Sequence, residues 1–494
     1  MHANLPARDP AQRRPKRVTV LGAGLAGLVA AYELERLGHS VQVLESRLSV
    51  GGRVRTHGFT GRGARGPLVE LGAMRIPASH RSTMEWIDRL GLSDRLREFR
   101  TLFSDDANFL ETSAGHRRVR DASPVLVEEL RRHLPPDRSY RHESVLCAAW
   151  LAAGVNAVAP GAFRQDLHPD LYLELLELLD GIDLRPFLVD AARRVDLNRF
   201  LAGNPGLAAR SRLQHFLDDI ATETSSELFR LEGGMDQIAR RLAERLRRPV
   251  RYGRKVVGLH VRDDGVLVET RRGLTTAAGH HDYVLCTVPF SVVRGMRLTG
   301  FDDTKLAVVH DMRYWPATKI AVHCREACWE RDGIGGGGSY TGGLVGQTYY
   351  PPVENDPRLG AALLASYTIG PEPDALAKMP RKKRTRMVLD ELSVIHPDLA
   401  EPGMVLEVVT QAWGEDPASR GGASVRWSKD VVTAEEERAL AARPQGTLFF
   451  AGEHCSSYPA WIEGAIRSGL AAAGQIDACA PLAQPLHLHE RKDG

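Results

Sequence analysis

An α/β fold with a discontinuous nucleotide-binding domain is predicted by three features of the 494-residue sequence. A short apolar run, a glycine fingerprint and a helical stretch follow one another in the first tenth of the chain. Further short apolar runs, in "HDYVLCTVPF" and "GTLFFAGEH", supply later strands of the same buried type. Between these pieces lie two long insertions of different composition, one with helical spacing and one rich in strand formers. The length allows roughly three domain-sized units and a large core.

The first element is "VTVLG", a short run of β-branched and apolar residues, as a buried parallel strand requires. Gly22, Gly24 and Gly27 then form G-x-G-x-x-G at the strand-to-helix turn. They permit a tight turn, close approach of a pyrophosphate and close helix–strand packing, while the helix N-terminus offers unpaired N–H groups and its dipole to the phosphates. Gly38 is placed to end the helix, and "SVQVLE" is a second strand that delivers Glu45, 18 residues after Gly27. An acid at that distance accepts hydrogen bonds from a ribose, which completes a Rossmann-like reading. A chance glycine-rich turn is the alternative, and the strand before and acid after argue against it.

Farther along, "LEGGMDQIARRLAERL" predicts a helix after a glycine pair, and "RKVVGLHVRDDGVLVET" a hairpin with a D-D-G turn. "WIEGAIRSGLAAA" is a closing helix. Residues from about 118 to 230 are rich in Leu, Ala, Arg and Glu with helical spacing. Residues 300 to 435 carry more β-branched, aromatic, Gly and Pro residues, which predicts a sheet with loops.

Charge narrows the function classes. Lys plus Arg total 65 and Asp plus Glu 62, a formal net charge of +3, so no nucleic-acid or membrane footprint is expected. The run "RKKRTR" reads as a solvated helix face. Six cysteines in this length are expected as free thiols in a reducing compartment, hence a cytoplasmic protein. The Arg13–Arg14 pair precedes an apolar run that the nucleotide motif needs, which weakens an export reading. No metalloprotease, nucleophile-elbow or P-loop motif occurs. "HCREACW" lacks a second ligand pair at compatible spacing, and the tail "LHLHE" is no ligand set, so no metal is expected.

"VELGAMRIP" places Arg75 among apolar and small residues, where a buried guanidinium needs an anion. The nearest acid in sequence is Glu70. Either an internal Arg–Asp or Arg–Glu pair or a bound carboxylate satisfies that demand.

The fingerprint, Glu45 and "GGRVRT" with Gly51, Gly52 and Arg53 together resemble the FAD-binding end of the flavin amine oxidase family. The similarity runs from about Lys16 to Gly474, weaker in the helical insert, and several motifs are most similar to the L-amino acid oxidase branch. The resemblance implies noncovalent FAD, since Gly421, Gly422 and Ala423 stand where monoamine oxidases carry a flavin-linking cysteine. It implies a discontinuous FAD-binding domain of residues 14–57, 231–300 and 436–480, and an α+β substrate-binding domain of 58–117 and 301–435. A helical domain would comprise 118–230.

In that resemblance Arg75 holds the substrate α-carboxylate, and Tyr367, in "LASYTIG", adds a hydroxyl ligand. Lys319, in "YWPATKIAVHC", corresponds to the family lysine that holds a water near flavin N5. Gly72, Ala73 and Met74 meet the flavin through their backbone. Gly452 and Glu453 contact the ribityl and phosphate portion, and Val256 and Ile462 are further cofactor contacts. Trp461 and Trp413 become ring neighbours, with Trp461 also facing substrate. The Ala460 carbonyl would accept from the substrate amine, although this subgroup often has glycine there. His215, in "RLQHFLDDI", aligns loosely with a histidine proposed as a base. A packed core tyrosine, a surface lysine and a packed core histidine are the plain alternatives for Tyr367, Lys319 and His215.

The implied reaction is oxidative deamination of an L-amino acid with a bulky apolar or aromatic side chain. Its products are the imino acid, then the 2-oxo acid, with O2 reduced to hydrogen peroxide. An amino acid 2-monooxygenase, a monoamine or polyamine oxidase, and a non-catalytic flavoprotein scaffold are the other readings. A nicotinamide dehydrogenase fits "GGRVRT" less well. The expected partners are the amino acid, O2 and a second copy of the chain.

Overall fold

The computed structural model describes residues 15–60, 65–159, 170–190, 193–207, 213–225, 227–354, 356–370, 372–425 and 429–480. Arg13, Arg14 and the "LHLHE" tail lie outside the described residues, as does the side chain of His215. The chain divides into two compact units. One takes in the described residues of Met1–Gly52, Ile238–Met312 and Glu435–Gly494; the other those of Arg53–Gln237 and Arg313–Ala434.

The first unit is organised by a parallel sheet in the order Ser40–Leu44, Arg17–Leu21, Tyr283–Cys286, Leu448–Phe450. Val18, Val20, Val284, Leu285 and Leu448 are all buried, as expected of strands covered on both faces. The first turn leads into the helix Leu25–Arg36, which ends at Leu37 and the left-handed Gly38 (φ 93°). The D-D-G hairpin forms as read: Lys255–Arg262 pairs antiparallel with Gly265–Arg272. These strands lie between Thr275–His281 and Arg297–Thr299 in a second sheet. The closing helix runs Ile462–Ala478.

The second unit is built on a seven-stranded sheet. Its order is Val405–Ala412, Ala317–Cys324, Ala361–Ile369, Gly346–Tyr349, Gly338–Gly342, Phe109–Thr112, Gly115–Arg118. Every residue of Ala317–Cys324 is buried, because that strand has neighbours on both edges and packed layers on both faces. A three-stranded sheet sets Leu228–Leu231 between Ile76–Pro77 and Leu96–Glu98. The helical stretch supplies Ser123–Arg132, His142–Val158, Leu171–Leu178, Leu197–Gly203 and Gln214–Glu223. His142–Val158 is apolar nearly all round, so it is enclosed by its neighbours rather than presenting one face. Val145, Leu151, Phe200 and Leu217 share one continuous core with Leu71, Met74, Tyr349 and Leu364 from the sheet segments. The helical stretch therefore has no core separate from the sheets of this unit. "RKKRTR" opens the helix Arg381–Leu392, with Arg381 and Arg384 turned onto backbone carbonyls. Among the described residues, no helix is long and apolar enough to cross a membrane.

Candidate active site

In the first unit the glycine turn makes a cradle. A Cβ on Gly27 would lie 2.1 Å from the Gly22 carbonyl oxygen, so only glycine lets the helix start this close to the strand. At Gly24 the opposite holds, with open space where a side chain would stand. No side chain caps the helix Leu25–Arg36, and its first turn carries no acid. First-turn N–H groups have no intrahelical carbonyl to meet, so this end is suited to a diphosphate.

Glu45 faces the same turn. Its Oε2 accepts from Ala23 N at 2.7 Å, and Oε1 accepts from Ser46 Oγ at 3.0 Å and Arg47 N at 2.8 Å. A carboxylate offers about four lone-pair directions, so a sugar hydroxyl can join these donors. Thus the acid read as a ribose ligand also holds the loop in shape. Arg47 Nη1 donates to the Gly52 carbonyl at 3.3 Å. These residues fit a dinucleotide cofactor.

Elsewhere in this unit, Val256 is buried on Lys255–Arg262, beside an irregularity in register before Gly258. Gly452 (φ 147°) donates its N–H to Ser468 Oγ at 2.9 Å and precedes the buried Glu453. Glu453 Oε2 accepts from Ala460 N at 3.2 Å. Trp461 is the N-cap of the closing helix, and the buried Ile462 is its first residue. Ala460 has φ 68°, a left-handed conformation that costs a residue bearing a Cβ about 1–2 kcal/mol. Glycine would adopt the same conformation without that cost.

In the second unit the segment Glu70–Arg75 is the focus, and contacts from Trp413, Arg53 and Lys319 shape it. The Trp413 indole N–H donates to the Leu71 carbonyl at 2.8 Å. Arg53 O accepts from Ala73 N at 3.1 Å, and a Cβ on Gly72 would lie 2.0 Å from that oxygen. Arg53 Nη1 in turn donates to the Gly422 carbonyl at 3.0 Å. From the centre of the large sheet, Lys319 Nζ donates to Gly72 O at 2.7 Å and Glu70 O at 3.3 Å, and approaches Met74 Sδ at 3.4 Å. Three donors of an ammonium thereby meet three acceptors. Trp413 and Lys319, read as flavin-side groups, are thus also the supports of this backbone.

Lys319 is no surface lysine: it is 3% exposed. Register sets Tyr367 opposite it, and Lys319 Nζ lies 4.7 Å from the Tyr367 ring centroid. Burial, helped by the Arg75 charge and opposed by Glu70, lowers Lys319 to about 7. Burial lifts Glu70 to about 7, even though Met235 N–H, the Thr56 hydroxyl and the Lys319 charge favour its ionised form. A carboxyl on this segment and the lysine that supports it are therefore both poised near neutrality.

Arg75 immediately precedes the strand Ile76–Pro77, whose register puts Ile76 opposite Phe229 and Pro77 opposite Leu228. That pairing brings the end of the helix Gln214–Glu223 to Arg75. Arg75 Nη2 forms an ion pair with Glu223 Oε1, the side chains being 13% and 10% exposed. Glu223 Oε2 accepts from Thr101 Oγ1 at 3.0 Å. Arg75 Nη1 approaches the Tyr349 hydroxyl at 3.4 Å, and the guanidinium carbon lies 5.9 Å from the Phe99 centroid. Tyr349 donates onward to Gln347 Oε1 at 3.1 Å. Burial raises the phenols of Tyr349 and Tyr367, with the Arg75 charge opposing, so both remain hydroxyl donors at neutral pH.

The internal Arg–Glu pair left open by the sequence is therefore present. Lys319 and Tyr367 are brought together, and the Arg75 charge reaches both. His215 is on the helix Gln214–Glu223, its side chain outside the described residues. Sequence reasoning missed Glu223, Thr101, Tyr349 and Glu70 as members of this group. The one available signal was the need of a buried guanidinium for an acid, which says nothing of where in the chain that acid lies.

Residues 25–477 match the family of flavin containing amine oxidoreductases. A flavin-dependent L-tryptophan oxidase, RebO, from Lentzea aerocolonigenes is 54% identical over 469 residues, 94% of this chain and 99% of that protein. An L-amino-acid oxidase from Vipera ammodytes ammodytes is 28% identical over 470 residues, 94% of this chain and 93% of its own. Among solved structures, a putrescine oxidase with bound putrescine has a TM-score of 0.64 at 21% identity, covering 94% of this chain and all (100%) of that one. Cyclohexylamine oxidase from Brevibacterium oxydans has a TM-score of 0.65 at 19% identity, with coverages of 94% and 99%. These two share the fold. With a family match spanning most of the chain, a dinucleotide cradle and a full-length relative at 54% identity, the protein belongs to the flavin-containing amine oxidoreductases.

Proposed function

We propose that the protein is an FAD-dependent L-amino acid oxidase acting on L-tryptophan or a close aromatic analogue. The observation that carries this reading is Arg75, a buried guanidinium flanked by two hydroxyl donors and a near-neutral lysine. A simple amine oxidase has no use for such a cation. The kinship with an L-tryptophan oxidase supports the aromatic side chain.

In this reading residues 14–57, 231–300 and 436–480 form the FAD-binding domain. Residues 58–117 and 301–435 form the substrate-binding domain, and 118–230 the helical domain. Gly22, Gly24, Gly27 and Glu45 hold the diphosphate and ribose. Gly52, Arg53, Gly72, Ala73, Met74, Val256, Trp413, Gly452, Glu453, Trp461 and Ile462 complete the cofactor contacts. The flavin is noncovalent, as Gly421, Gly422 and Ala423 offer no thiol. When bound, FAD supplies the two-electron acceptor for the Cα hydride and the electrons that convert O2 to hydrogen peroxide.

The chain's own residues bind and orient. Arg75 matches the α-carboxylate edge to edge, and Tyr367 donates its hydroxyl to the same group. Fixing the carboxylate restricts which hydrogen on Cα is presented for transfer, so orientation supplies much of the acceleration. Ala460 and Trp461 are the further substrate contacts, the Ala460 carbonyl accepting from a neutral amine. Lys319 holds water: in its neutral form the amine has a lone pair that accepts from it, whereas the ammonium spends its three N–H groups on the 70–74 segment. His215 retains only its loose alignment with a base.

Free cysteines, five of them buried, suit a cytoplasmic setting, and a homodimer is the assembly we expect. Oxygen uptake across the L-amino acids, with the organic product identified, tests the function. Fast turnover of L-tryptophan to a 2-oxo acid, ammonia and peroxide is expected. An amide product would instead mark a monooxygenase, and turnover of amines alone would refute the proposal.

A further inference from the structure

We propose that Glu223 is an internal carboxylate that the substrate must displace from Arg75, so that it sets both the affinity for and the requirement of an α-carboxylate. This rests on Arg75 being the carboxylate-binding group.

Glu223 joins Arg75 through one oxygen and Thr101 through the other, and both members of the ion pair are largely removed from water. Glu223 is also the last residue of the helix Gln214–Glu223, where the negative end of the helix dipole disfavours an anion. The Arg75 cation and the Thr101 hydroxyl are what offset that placement. Conversely, Arg75 without Glu223 would be a buried cation whenever substrate is absent. The pair is thus a resting arrangement that satisfies both charges.

A substrate carboxylate that binds the same guanidinium competes with Glu223 for it. A guanidinium receives a carboxylate on a planar edge through two parallel N–H bonds. Glu223 already engages Nη2, while Nη1 points to Tyr349. Two carboxylates on one guanidinium would lie side by side with little water to screen them. The incoming carboxylate therefore takes Nη2 as Glu223 leaves it, and Glu223 keeps Thr101. No bond is made or broken covalently; one anion replaces another on the same cation. A decarboxylated amine brings no anion to exchange, so it leaves the Arg75–Glu223 pair closed. The resident glutamate thereby acts against the wrong substrate as well as for the right one.

The test is isothermal titration of the FAD-loaded enzyme with indole-3-propionate, which lacks the amine and is not oxidised, and with its uncharged amide. Glu223→Gln should tighten the acid by at least about tenfold, the lower end of couplings between close buried charges, and leave the amide unchanged. Thr101→Val, which loosens Glu223 without removing it, should tighten the acid by a smaller factor; it decides the matter if Glu223→Gln does not fold. Arg75→Leu should weaken the acid. Unchanged or weaker acid binding in both Glu223→Gln and Thr101→Val, with Arg75→Leu still weak, overturns the exchange and leaves Arg75 as the carboxylate site. Acid binding as tight in Arg75→Leu as in the wild type overturns the Arg75 assignment itself.

Discussion

Arg75→Leu separates two contributions of one side chain. In the resting protein it removes the partner of Glu223, a carboxylate 10% exposed whose other described contact is the Thr101 hydroxyl. Breaking a buried pair from one side costs about 3–5 kcal/mol of stability, because the remaining charge is stranded. The midpoint of thermal unfolding should therefore fall, and Arg75→Leu/Glu223→Gln should recover most of the loss by removing the stranded charge. In turnover the same substitution leaves the substrate carboxylate without its partner. Truncation of one member of a hydrogen-bonded charge pair costs about 2–5 kcal/mol, which at about 1.4 kcal/mol per decade is a fall in kcat/KM of about thirtyfold to several thousandfold. The double variant should remain as poor a catalyst as the single one. Steady-state kinetics on L-tryptophan and thermal scans of the three proteins read both effects. Wild-type kcat/KM in Arg75→Leu would refute the carboxylate role, and a double variant no more stable than the single one would refute the pairing argument.

Three further outcomes follow from the geometry. Lys319 is held near 7, so its neutral fraction rises as pH rises through that value, and kcat should rise with it. Lys319→Met should remove that limb, while Glu70→Gln, which takes away the negative charge that raises Lys319, should move the limb to lower pH; a limb unchanged in Lys319→Met would remove the lysine from the mechanism. Gly27→Val puts a side chain 2.1 Å from the Gly22 carbonyl, so it should purify without flavin, whereas the wild type should be yellow and release intact FAD on acid precipitation. A yellow Gly27→Val protein would contradict the cradle. Ala460→Gly relieves a left-handed alanine worth about 1–2 kcal/mol against a glycine entropy cost of about 0.5–1 kcal/mol, so the unfolding midpoint should rise slightly, and a fall would show that the methyl packs usefully.

Local signals were the legible ones. The turn at Gly22–Gly27, the acid at Glu45, the D-D-G hairpin and the end of the first helix at Gly38 each depend on neighbours within one or two elements. The pairing of Lys319 with Tyr367 was not legible, since it depends on the register of two strands that meet only in the folded sheet. Trp413 was read as a ring neighbour, but nothing in "QAWGED" foretells that its N–H supports Leu71. Arg75 advertised its need for an anion, and yet Glu223 stands far away in the segment of weakest resemblance. The pairing of Ile76–Pro77 with Leu228–Leu231 helps to bring the two together.

The central claim, an FAD enzyme that recognises an L-amino acid by its carboxylate, is tested most directly by anaerobic mixing. The FAD-loaded enzyme is mixed without oxygen with L-tryptophan, D-tryptophan or tryptamine while flavin absorbance is followed. The account predicts rapid bleaching by L-tryptophan and almost none by the other two. Bleaching by tryptamine as fast as by L-tryptophan would contradict it, leaving a simple amine oxidase in its place.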